Sequence, residues 1–112
     1  MKTIHTLFLL CFILFLSCTK QEDDLSYPDC LQEEIDYILE NEPVASFKRR
    51  ILKYRYNNTY VYLLSPPDAI DAASRVMDRS CYTFCSMGGG WGNSCENWDD
   101  AELIGTVWID PR

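Results

Sequence analysis

Histidine is almost missing from this chain: the 112 residues contain one, His5. It lies in an N-terminal segment that reads as a cleaved signal, so the mature domain is expected to have none. That excludes Ser-His and Cys-His nucleophile pairs and removes imidazole from any metal site. Basic residues are scarce as well, 10 against 17 acidic, for a net charge of −7. Such a balance leaves no electrostatic footprint for nucleic acid. Long apolar runs are lacking. The one from Leu7 to Leu16 has the length of a signal-peptide core and is too short to cross a bilayer as a stable helix. The glycine-rich stretch at 88–92 lacks the Lys-Ser/Thr of a phosphate loop and the spacing of a dinucleotide fingerprint. There are no internal repeats, and nothing calls for a cofactor.

The N-terminus carries the clearest signal. Lys2 and His5 precede the apolar run, which ends at Ser17-Cys18 before the chain turns polar. A small residue directly before a cysteine at the end of such a run resembles the bacterial lipobox. It predicts a signal peptide at 1–17, cleavage before Cys18 and acylation of that cysteine. An ordinary secretory signal cut nearby is the alternative. Cleavage leaves 95 residues, one small domain at most, with 9 basic and 17 acidic side chains. That domain would be repelled by anionic lipid, so the acyl chains must do the anchoring. Residues 18–28 then read as the acylated cysteine and a flexible tether, and 29–112 as a single small domain. The run Lys20-Gln21-Glu22-Asp23-Asp24 has no apolar periodicity. Placed just after a lipid cysteine, it resembles a surface-export signal. A generic solvated spacer is the equal alternative. The expected location is the cell envelope, at an outer membrane, with exposure at its surface left open.

Cysteine usage agrees with export. Beyond Cys11 and Cys18 four remain, Cys30, Cys81, Cys85 and Cys95. An even number in a small exported domain reads as two disulfides. The spacing does not fit a zinc ribbon, and no metal site is expected. If Cys81 to Cys85 is one strand, these two lie ~13 Å apart and cannot bridge each other. We favour Cys85–Cys95, closing a short glycine loop, with Cys30–Cys81 tying helix to sheet. Cys81–Cys95 with Cys30–Cys85 stays open.

Periodicity supplies the elements. Asp29 to Asn41 reads as a helix, with Leu31, Ile35, Ile38 and Leu39 on one stripe. Asp29 and Gln32 have capping-box spacing, and Pro43 ends it. Phe47 to Leu64 reads as a hairpin turning at Asn57-Asn58, since Asn tolerates positive φ. A two-residue loop pairs Tyr56 with Thr59, Tyr54 with Val61 and Leu52 with Leu63, the face expected to meet the helix. The other face pairs Arg55 with Tyr60, Lys53 with Tyr62 and Ile51 with Leu64. It is expected to be exposed, with cation–π contacts across it. Ser65-Pro66-Pro67-Asp68 breaks the strand, and Asp68 to Ser74 has the look of a short helical turn. Arg75 to Asp78 reads as a short strand or part of that turn. Cys81 to Cys85 reads as a strand, Gly88 to Asn93 as a loop, and Leu103 to Ile109 as a last strand with Gly105 at a bulge. The fold class is α+β, one N-terminal helix packed on an antiparallel sheet of about four strands, stabilised by disulfides.

Several of these residues together resemble a family of small, uncharacterised lipoproteins of Bacteroidota-type bacteria, known only as a domain of unknown function. They are Cys30 before the helix, Tyr54-Arg55-Tyr56, Tyr60-Val61-Tyr62, Asp68 and Asp78. The Cys85 to Cys95 segment with its glycines and the final Trp108-Ile109-Asp110-Pro111-Arg112 complete the set. The resemblance runs from about Cys30 to Arg112. It departs at Pro66-Pro67-Asp68, where such proteins commonly look like Cys-Cys-Asp, and at Asn93-Ser94, where they usually carry an Asp. It implies location and a shared fold but no activity.

The expectation for function is a membrane-anchored binding or interaction module, with an unknown protein or glycan as ligand, and not an enzyme. Candidate binding residues are Trp91 and Asn93 in the glycine loop and Lys53, Arg55, Tyr60 and Tyr62 on the hairpin. Trp98 and Trp108 read as core. An inhibitor of an exported protease, using the Pro66-Pro67 or glycine loop as a wedge, is the first alternative. A carboxylate-based hydrolase drawing on Asp68, Asp71, Asp78, Glu96, Asp99 or Asp100 is the second.

Overall fold

The structure is a computed structural model that describes residues 24–112. The signal segment 1–17, Cys18 and the start of the tether lie outside the described residues. One α-helix, α1 (Asp29–Asn41), precedes five strands: β1 (Arg50–Tyr56), β2 (Thr59–Leu64), β3 (Ser74–Met77), β4 (Thr83–Met87) and β5 (Glu102–Ile109). All pairings are antiparallel, in the order β4-β3-β2-β1-β5. The sheet has five strands rather than about four. The extra one is Ser74–Met77, which pairs with both β2 and β4. Four residues are too few to display a period, so only its neighbours define it as a strand.

The helix occupies the predicted span. Leu31, Ile35 and Ile38 are buried along one stripe, each contributing roughly 1.5–3 kcal/mol of apolar transfer. The expected capping box does not form. Pro28 is the N-cap residue, and its carbonyl accepts from Leu31 N. Gln32 instead accepts from the Tyr27 hydroxyl and donates to Asp36.

The hairpin has the predicted turn and register. Asn57 and Asn58 hold φ of 49° and 61°, and Tyr56 pairs with Thr59, Tyr54 with Val61 and Leu52 with Leu63. The faces, however, are reversed. Helix α1 packs on the side of Ile51, Tyr62, Leu64 and Met77, which was expected to be exposed. The opposite side is covered too, by a second cluster of Tyr56, Val61, Val76, Cys85 and Cys95, with Tyr54, Leu63 and Trp98 against it. Alternation divides residues between two faces, but both faces here carry enough apolar surface to be buried. The buried Lys53 misdirected the assignment. Its stem lies in the helix-side core and its ammonium reaches backbone carbonyls.

Residues 24–28 are not a free tether. Asp24 and Ser26 carbonyls accept from Lys53 Nζ at 2.9 Å each, Leu25 lies over Gly105, and Tyr27 packs on the helix-side cluster. The strap docks mainly through its backbone carbonyls, which composition does not reveal.

Other local readings shift. Asp68 to Asp71 bends and turns without a helix and Ser74 already begins β3, with Asp68 accepting from Ser46 N at 2.8 Å. Cys81 lies outside the strand, in a turn at φ 64°, and β4 runs from Thr83 instead. The irregularities of β5 insert Ile104 and Val107 between paired positions, so the bulge falls beside Gly105. The bridges are Cys30–Cys81 and Cys85–Cys95. This is the favoured pairing, but Cys30–Cys81 ties the helix to a turn rather than to the sheet, because Cys81 precedes the strand that begins at Thr83. Trp108 pairs with Ile51 and packs on the helix-side cluster, and Trp98 on the other.

Among the described residues no helix is long and apolar enough to cross a membrane, and no group of His, Cys, Asp and Glu could hold a metal ion.

Candidate functional site

The hairpin brings Lys53, Arg55, Tyr60 and Tyr62 to one patch on the helix-side face. Lys53 opposes Tyr62 and Arg55 opposes Tyr60 across β1 and β2. The Lys53 ammonium lies 4.3 Å from the Tyr60 ring centroid and 6.0 Å from that of Tyr62; the Arg55 guanidinium carbon lies 5.7 Å from Tyr60. The expected cation–π contacts are present, at partly buried sites where they are strongest. Lys53 is also 3.5 Å from the Asp24 carboxylate, and Arg55 is 3.5 Å from Glu102 on β5. Asp24 is held below the ordinary carboxylate range, first by its hydrogen bonds from Ser26 and then by Lys53. Burial pushes the Tyr62 phenol up, and Arg79 opposes that rise.

Arg79 is the cation that sequence reasoning missed. It stands in the turn between β3 and β4. Asp78 shapes that turn: its carboxylate accepts from Ser80 N at 2.9 Å, Ser80 Oγ at 2.7 Å and Tyr82 N at 3.0 Å. The Ser80 hydrogen bond is the main reason Asp78 stays acidic. The Cys30–Cys81 bridge then ties the turn to the start of α1. The signal for such a turn was Asp78-Arg79-Ser80, an Asx-turn spacing before a half-cystine. Nothing local says that it folds over Tyr60.

Two cavities meet at this patch. One, of about 300 Å³, lies between the strap and the sheet, with Asp24, Ser26, Lys53, Tyr60, Tyr62 and Arg79 in its lining. The other, of about 350 Å³, is lined by Arg55, Asn58, Thr59, Tyr60 and Arg79. Tyr60 and Arg79 belong to both. A larger groove of about 560 Å³ runs along α1, and two of its three carboxylates are already engaged. Glu34 pairs with Arg75 and Glu42 with the buried Arg49.

The other candidates do not join the patch. Asn93 lies in the loop after β4, where its side chain accepts from Cys95 N at 2.7 Å. Ser94 fastens the same loop to Ser86 through both its backbone N–H and its hydroxyl. The Trp91 side chain lies outside what the structure describes. Of the acidic candidates, Asp68 and Asp78 commit their carboxylates to backbone N–H groups.

Comparison with curated proteins finds no match, and comparison with solved structures finds none either. A family model described as Domain of unknown function (DUF6970) matches residues 38–110, from the last turn of α1 through all five strands and the buried Asp110. This match covers 73 of the 112 residues, and the chain belongs to that family.

Proposed function

We propose that the protein is an exported lipoprotein of the cell envelope, of the Bacteroidota type, acylated on Cys18 and held at an outer membrane. Its domain acts as a non-enzymatic binding module there. Ser17-Cys18 after the apolar run supports the anchor, and two disulfides are consistent with an oxidising compartment. The observation that carries the binding half is the convergence of Lys53, Arg55 and Arg79 around Tyr60 in an acidic chain. Docking of residues 24–28 tightens the arrangement. Six Cα steps separate Cys18 from Asp24, a reach of at most ~20 Å. The cavity walled by the strap therefore stays close to the lipid surface.

Mass spectrometry of the membrane-extracted protein tests the anchor. The expected product begins at an acylated Cys18, and Cys18→Ser releases the protein into the soluble fraction. An unacylated product, or one washed from membranes by buffer alone, refutes it.

One observation favours a second reading, an inhibitor of an exported protease. Ile70 is 94% exposed at the tip of the Pro66-Pro67 loop, and Asp68 and Asp71 brace that loop against Ser46 and Gly90. A stable complex with a secreted protease, lost in Ile70→Asp, would support it over the binding patch.

A further inference from the structure

The twin cavities around Tyr60 have the chemistry of a site for a small organic anion. Arg79 lines both, and its guanidinium forms no hydrogen bond or ion pair among the described residues. The other arginines of this core differ. Arg49, Arg75 and Arg112 each meet a carboxylate, Glu42, Glu34 and Asp110 respectively. Arg79 is nonetheless not left to wander at its root. Asp78 and the Cys30–Cys81 bridge fix its backbone, so the planar fork is presented from a rigid turn. Lys53 lies in the same lining, but its charge is already met by Asp24 and two backbone carbonyls, which leaves Arg79 as the cation that faces a ligand.

Two further charged groups line the cavities, Asp24 on the strap side, paired with Lys53, and Arg55 on the other, paired with Glu102; the recess beside Arg55 and Arg79 holds no carboxylate. Asn58 and Thr59 offer amide- and hydroxyl-type partners. A guanidinium fork matches a carboxylate in bidentate fashion, and cavities of this size suit a single ring or short chain. We propose that this recess binds a small carboxylate that also carries hydroxyl groups, of the kind presented by an acidic sugar, with Arg79 engaging the carboxylate and Asn58 and Thr59 the hydroxyls. The inference rests on reading the domain as a binding module and names its ligand class.

The test is titration of the full acylated protein in non-ionic detergent micelles, followed by NMR. Glucuronate is expected to shift the signals of Asn58, Thr59, Tyr60 and Arg79 and to saturate at millimolar concentration. Glucose is expected to leave them unmoved. Arg79→Ala should weaken glucuronate at least tenfold, Arg79→Lys should weaken it less, and Arg50→Ala, an exposed arginine away from the cavities, should not change it. No shift with glucuronate overturns the proposal. So does inorganic phosphate binding as tightly as glucuronate, which would mark a general anion site. Acylation is measured on the same sample, so a failed anchor and a failed recess are told apart.

Discussion

Lys53 and Gly105 face each other across β1 and β5, and together they seat the strap. A Cβ on Gly105 would lie 2.6 Å from Leu25 Cδ2, so the bare glycine makes the room that Leu25 fills. Lys53 Nζ binds the carbonyls on either side of that leucine. One position removes a side chain and its partner supplies a long one, and the chain between anchor and helix is held against the sheet.

Gly105→Ala should dislodge Leu25, because the obstacle is the far end of a flexible side chain. Lys53→Met should free the same segment by a different route, removing two charge-assisted hydrogen bonds worth about 1.5–3 kcal/mol each. Faster hydrogen exchange and earlier proteolysis at 24–28, with the remaining amides protected, is the expected outcome for both. Global unfolding at the same rate as strap release would contradict it.

The two disulfides should differ in worth. Cys30–Cys81 spans a separation of 51 residues and Cys85–Cys95 one of 10. Chain-entropy arguments put the losses at ~4 and ~3 kcal/mol. Replacing each pair by alanine and measuring urea midpoints checks the order. The Cys30–Cys81 variant is also expected to lose the fixed position of Arg79.

Trp98→Ala should cost roughly 2–4 kcal/mol. Its ring lies 4.8 Å from Tyr54 and 5.3 Å from Tyr56 by centroids, and it helps cover the face that α1 leaves open. The Tyr56 hydroxyl donates to the Glu96 carbonyl just upstream, so the loss should also loosen the Cys95 loop. Thermal unfolding followed by circular dichroism reads both.

Acid should weaken the fold between about pH 4 and pH 2. Asp110 is buried, and its carboxyl is lowered from 3.8 to about 2, chiefly by the Arg112 guanidinium. A depressed folded value means that its stabilisation is complete above the unfolded value and is lost as pH falls through the folded one. Asp110→Asn should lower stability at neutral pH and shrink the acid limb. Asp78, held low by Ser80, keeps part of it. Urea midpoints across this range, compared with the parent, provide the check.

Much of the fold was legible because local chemistry dictated it. The span of α1 follows from Leu31, Ile35 and Ile38, and the hairpin register from Asn57-Asn58. Half of the candidate site was legible too, since register alone puts Lys53 opposite Tyr62 and Arg55 opposite Tyr60. Arg79 was not. Its neighbours in space, Tyr60 and Lys53, are 19 and 26 positions away, and only the course of β3 into the turn brings them together.

Amino-acid order by itself determined the helix, the tight turn, the strand pairing around it and a net charge of −7. These depend on backbone preferences and on neighbours a few residues apart. Tertiary structure alone decided which face of the hairpin meets the helix, that Ser74–Met77 is a strand, that residues 24–28 dock, and where Arg79 points. A two-residue period separates faces without ranking them. The ranking came from how all the apolar surface could be buried at once, with Lys53 finding its hydrogen-bond partners on a segment 27 to 29 residues earlier.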